Sequence, residues 1–80
     1  METRVAIISI IVENLDSATE TNNILHEYAD VIIGRMGLPY RRRNMNVISV
    51  VIDAPHNVIS ALSGKLGRLD GVSAKTLYSK

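Results

Sequence analysis

The sequence predicts a small α+β domain whose elements run strand, helix, strand, strand, helix, strand. Three observations carry this. Residues 5–12 and 47–52 are short apolar runs dominated by β-branched side chains, as expected of strands near the centre of a sheet. Helix-start residues at Ser17 and Asp53 precede stretches with apolar positions three and four apart. Eighty residues are enough for one domain, so residues 1–80 are expected to share one core.

The first strand, Val5-Ala6-Ile7-Ile8-Ser9-Ile10-Ile11-Val12, lies between Arg4 and Glu13 and is too short for a lone helix. Ser17, with Glu20 three residues on, has the pattern of a capping box, in which each side chain satisfies an orphan donor at the helix start. Thr21, Ile24, Leu25 and Tyr28 then recur at helical spacing, so the helix is expected to reach Tyr28 or Ala29. A second strand begins near Val31 and runs into Gly34-Arg35-Met36-Gly37-Leu38-Pro39-Tyr40. Two glycines mark a bulge or a close backbone approach, and proline lacks a ladder donor, so this strand belongs at an edge.

Residues 41–46 form a polar connection of hairpin size leading to the third strand, Val47-Ile48-Ser49-Val50-Val51-Ile52. Asp53 as N-cap and Pro55 in the first turn open a second helix, with Val58, Ile59, Leu62, Leu66 and Leu69 as its stripe. Asp70-Gly71 turns the chain into a last strand, residues 72–78. Two βαβ units joined by a hairpin, with right-handed crossovers, give the ferredoxin-like arrangement: antiparallel sheet order 4-1-3-2 with both helices on one face.

Two helices cover one side of such a sheet, so the other should be polar. It is not. The serine-bearing sets of the two central strands are the less apolar and are assigned to the uncovered face, yet they still place Val5, Ile7, Ile11, Val47 and Val51 there. A patch of that size on a small domain points to an interface. With no cysteine to staple the chain, a homo-oligomer, dimer or tetramer, is the stabiliser that composition leaves open.

The formal charge of +1 hides a split. Residues 1–40 carry two basic and six acidic side chains, and residues 41–80 carry seven basic and two acidic. Arg41, Arg42 and Arg43, with Lys65 and Arg68, therefore offer an alternative reading as a nucleic-acid-binding module. Against it, the RNA-binding version of this fold stacks bases on sheet-face aromatics, and the chain has no Phe or Trp and no Tyr in its central strands. No run is long enough to span a bilayer, and the first residues lack the basic region and cleavage site of a signal peptide. The expectation is a cytoplasmic protein that neither touches a membrane nor carries a cofactor. His26 and His56 are too far apart in sequence for a metal site within one helical turn, and no metal is expected.

The densest unusual stretch is Gly34-Arg35-Met36-Gly37. Glycines let backbone approach a ligand, and arginine holds a carboxylate or phosphate in bidentate fashion; a plain edge-strand bulge with a solvent-facing arginine fits as well. His26, with Glu27 and Asp30 close by, is a further ligand-binding candidate beside the simpler reading of a surface histidine at a helix C-terminus. No catalytic set can be assembled, so the chain is expected not to be an enzyme.

Asn23-Ile24-Leu25-His26-Glu27-Tyr28, Gly34-Arg35-Met36-Gly37-Leu38-Pro39-Tyr40, Val47-Ile48-Ser49 and Gly64-Lys65-Leu66-Gly67-Arg68-Leu69-Asp70-Gly71-Val72 together resemble the iron-only hydrogenase system regulators. The resemblance covers nearly the whole chain. It implies an ACT-like domain akin to the ligand-binding domain of the nickel-responsive regulator, with sheet-mediated, tetramer-type assembly. That relative binds nickel through a cysteine and several histidines, which this sequence lacks, so nickel is not expected here. The expected domain leaves no residue span for a DNA-binding domain, so the expectation is a regulator that acts through a small ligand or a partner protein.

Overall fold

The computed structural model describes residues 2–80. Six main elements follow the predicted order: β1 (Arg4–Val12), α1 (Ala18–Glu27), β2 (Ile32–Tyr40), β3 (Met45–Ala54), α2 (His56–Gly67) and β4 (Val72–Tyr78). The sheet order is β2-β3-β1-β4, which read from the other edge is 4-1-3-2, and every pairing is antiparallel. The glycine- and proline-bearing β2 is an edge strand, where the missing donor of Pro39 costs no ladder bond. A register shift between Ile32 and Gly34 puts a bulge at its start.

Period-two alternation divides the sheet sharply. Ala6, Ile8, Ile10 and Val12 of β1 and Ile48, Val50, Ile52 and Ala54 of β3 are buried. They form one cluster with Ile24 and Leu25 of α1 and Ile59, Leu62 and Leu66 of α2, so both helices lie on the same face. Each of the large side chains stabilises the fold by about 1.5–3 kcal/mol relative to exposure. Thr21 is the one buried polar residue in the described core, and its hydroxyl donates to the Ser17 carbonyl at 2.8 Å.

The helix starts differ from expectation. Ser17 is the N-cap of α1 but makes no side-chain cap; its Oγ donates instead to the Asp70 carbonyl, 2.7 Å away, so the predicted capping box does not form. A single 3-10 turn, Leu15–Ser17, precedes the helix, and the Asn14 side chain caps that turn by accepting from the Asp16 amide at 3.0 Å. Asp53 is not the cap of α2. It remains inside β3, opposite Val5, and Pro55 occupies the N-cap, its carbonyl accepting from the Val58 and Ile59 amides. Proline cannot donate to the ladder, so the strand ends and the helix begins at this residue.

Val31 belongs to a 3-10 turn, Ala29–Val31, and β2 starts one residue later. The helical stripe of α2 stops at Gly67, although Leu69 still packs against the core. Between β2 and β3 the connection is the 3-10 turn Arg41–Arg43, closed by Asn44 at φ 52°. Asparagine tolerates that left-handed conformation better than most residues.

Candidate functional site

Residues directly opposed across an antiparallel ladder share a face, so the register lays out the helix-free side as rows. Leu38, Val47, Ile11 and Ser73 form one row, and Gly34, Val51, Ile7 and Leu77 form another. Between them run Met36, Ser49, Ser9 and Lys75. The five predicted residues lie on this face: Val5, Ile7 and Ile11 are 39–41% exposed, and Val47 and Val51 are half-buried by their neighbours. Met36, Leu38 and Leu77, which are 55–71% exposed, lie on the same face beyond the five predicted residues. Their edge strands had no fixed register in the sequence, and only the pairing partners reveal which way they point. Two apolar bands thus flank a polar stripe made by Ser49, Ser9 and Lys75.

The predicted Gly34-Arg35-Met36-Gly37 site is split by the same alternation. Gly34 and Met36 are on the helix-free face, whereas Arg35 and Gly37, opposite Val50 and Ile48, are on the helix side. Neither glycine has a positive φ, and a Cβ added at either would meet nothing within 4 Å. Neither is therefore required by a turn or by close packing within the chain.

On the helix side, α1 leaves the outer part of β2 uncovered. A hollow of about 200 Å³ opens there, lined by Asn22, Arg35, Gly37, Leu38, Pro39, Asn46 and Ile48. The Arg35 Nη2 donates to Asn22 Oδ1 at 2.8 Å, which ties the edge strand to α1 and holds the guanidinium at the rim. His26 sits one helical turn beyond Asn22 on α1, exposed and outside the lining of the hollow. The structure thus brings Arg35 and Gly37 together, adds Asn22 and Asn46, and leaves Gly34, Met36 and His26 outside.

Several other charged groups have structural partners. Lys65 of α2 lies 3.6 Å from the Glu27 carboxylate and 5.1 Å from the centre of the Tyr28 ring, linking the two helices. The Tyr28 phenol first, and then Glu27, hold the Lys65 pKa above the ordinary lysine value. Arg4 stacks on Tyr78 at 4.6 Å and donates to the Ser79 carbonyl at 2.8 Å, while the His56 ring lies 5.2 Å from that of Tyr78. Arg41, Arg42 and Arg43 are exposed in the hairpin turn. Among the described residues no group of three or more His, Cys, Asp or Glu side chains could hold a metal ion, and no helix is long and apolar enough to cross a membrane.

Residues 4–76 match the TM1266-like family, described as "Iron-only hydrogenase system regulator, putative". The chain belongs to this family. Among solved structures it is similar to the uncharacterized protein TM1266 from Thermotoga maritima, with 38% identity and a TM-score of 0.94 over 99% of this chain and 100% of that one. It also resembles a formyltetrahydrofolate deformylase from Pseudomonas putida KT2440, at 11% identity and a TM-score of 0.65. That likeness covers 91% of this chain but 28% of the enzyme, and at such identity it concerns the fold alone. No curated protein matches the sequence.

Proposed function

We propose that this member of the TM1266-like family is an ACT-like regulatory module of an iron-only hydrogenase system, working as a homo-oligomer, dimer or tetramer, and binding a small ligand or partner protein at its β2 edge. The observation that carries the reading is the helix-free face. It pairs two bands of exposed aliphatic side chains with a central polar stripe.

A second copy is the occupant that fits. Four strands of 7 to 10 residues make a face on the order of 500 Å² in plane, at about 4.8 Å between strands and 3.3 Å per residue. Side-chain relief raises that area toward the roughly 800 Å² per partner typical of stable interfaces. The face is also suited to self-pairing, because a polar stripe between two apolar bands can meet its own copy across a two-fold axis. Face-to-face packing would put the two sheets about 10 Å apart, as in a sandwich core.

Sedimentation velocity at micromolar concentration tests the proposal. A dimer or tetramer is expected; a stable monomer overturns it.

A further inference from the structure

We infer that the hollow between α1 and the outer half of β2 is a binding site for a small oxyanion, a carboxylate or phosphate attached to a short apolar body, held by Arg35. This rests on the reading of the β2 edge as the ligand-binding edge and supplies the chemistry of the ligand.

Four observations carry it. Arg35 lines the hollow and has no carboxylate within ion-pair distance among the described residues, so its charge is not neutralised inside the chain. It is nonetheless positioned, because Asn22 accepts one of its N–H groups at 2.8 Å. Of the five N–H groups of a guanidinium, the remainder can address an oxyanion in the planar fork that suits carboxylate and phosphate.

Gly37 supplies the second observation. It points to the same side as the core residue Ile48, where a strand normally carries an apolar side chain, yet a Cβ there would meet no atom within 4 Å. Glycine weakens a strand interior, and neither φ nor packing calls for it here. What its absent side chain does is keep the hollow open.

The remaining lining sorts by chemistry. Asn22 and Asn46 offer amide groups for polar substituents, while Pro39 and Ile48 offer an apolar wall; the Leu38 side chain points to the other face. At about 200 Å³ the hollow is smaller than the roughly 300–1,000 Å³ of pockets that take drug-sized ligands. It suits an anion of a few carbons rather than a nucleotide.

The test is amide-detected NMR titration of the full chain with isovalerate, with inorganic phosphate and with neutral isovaleramide. Saturable shifts confined to the Gly37 backbone amide and the Asn22 and Asn46 side-chain amides are expected with at least one anion and absent with the amide. Which anion binds more tightly identifies the carboxylate or the phosphate source. Arg35→Gln should weaken binding by roughly tenfold or more through loss of the charge-assisted fork. Gly37→Val, whose Cβ has open space around it and which suits a strand, should abolish binding by filling the hollow. No saturable shift with either anion, equal shifts with isovaleramide, or shifts that survive Arg35→Gln overturn the inference. The isovaleramide comparison uses the unaltered protein, so the outcome does not depend on a variant folding. A protein that sediments as an oligomer but shows no anion response loses only the site; a monomer that binds isovalerate keeps the site and loses the assembly.

Discussion

Gly71, at φ 70°, lies so close to Asn14 that a Cβ on it would stand 2.5 Å from the Asn14 Cβ and 2.8 Å from the Asn14 backbone nitrogen. Around this contact the Glu13 amide donates to the Gly71 carbonyl at 2.7 Å, and Asn14 Nδ2 donates to Asp70 Oδ2 at 2.6 Å. The end of β1 and the turn before β4 are thereby clamped together just ahead of α1.

Gly71→Ala should therefore be severely destabilising. Left-handed backbone costs a non-glycine residue about 1–2 kcal/mol, and the clash is partly with backbone, which cannot swing aside. A total loss of about 2–4 kcal/mol is expected in urea unfolding. A change below about 0.5 kcal/mol would mean that the turn relaxes and that the clamp is unimportant.

Ser17→Ala and Glu20→Ala separate the observed start of α1 from the expected one. A capping box would make both substitutions costly. Here the Ser17 hydroxyl is bound to the Asp70 carbonyl and Glu20 is exposed. Ser17→Ala should cost about 1 kcal/mol, and Glu20→Ala should stay within about 0.5 kcal/mol of the parent chain. Comparable losses for the two variants would restore the capping box.

That substitution pair also shows where sequence reading reaches its limit. Strand alternation was legible because β1 and β3 carry a serine on one face only, and the set without serine proved to be buried. Edge placement of β2 followed from Gly34, Gly37 and Pro39. By contrast, the partner of Ser17 lies 53 residues away, and no local pattern reports it. The Gly34-Arg35-Met36-Gly37 run is dense enough in sequence to suggest one site, although its own period of two sends neighbours to opposite faces. Asn22 and Asn46 joined the hollow only through tertiary placement, as did Met36, Leu38 and Leu77 on the open face.

Leu62→Ala and Met36→Ala should behave oppositely. Leu62 is fully buried under the sheet, so its truncation leaves a cavity and should cost about 2–5 kcal/mol. Met36 is 61% exposed on the helix-free face. Its truncation should leave monomer stability within about 0.5 kcal/mol and instead weaken assembly. Urea unfolding, run across a dilution series, reads both quantities.

Tyr28→Phe should lower the Lys65 pKa, measured by NMR of the lysine Cε protons. In the folded chain Tyr28, ahead of Glu27, raises that pKa. A raised lysine pKa contributes stability that is fully present below the unfolded-state value and lost as pH rises through the folded one. The group is exposed and screened by solvent, so the expected signature is the titration shift and not a visible loss of stability near neutral pH. An unchanged Lys65 titration in the Phe variant would assign the shift to Glu27.

Ile7→Arg is the sharpest probe of the open face. Ile7 sits between Val51 and Leu77 in the row that crosses the sheet, on a central strand, and its side chain is 39% exposed. In a monomer the arginine can extend its charged end into solvent while its stem covers the neighbouring aliphatics, so the fold should survive with unchanged far-UV circular dichroism. In a face-to-face assembly the same side chain would be buried without a partner, a cost large enough to split the oligomer. Sedimentation should then report a folded monomer for Ile7→Arg and a dimer or tetramer for the parent. An unchanged oligomer would place the contact elsewhere, with the exposed edges of β2 and β4 the next surfaces to substitute.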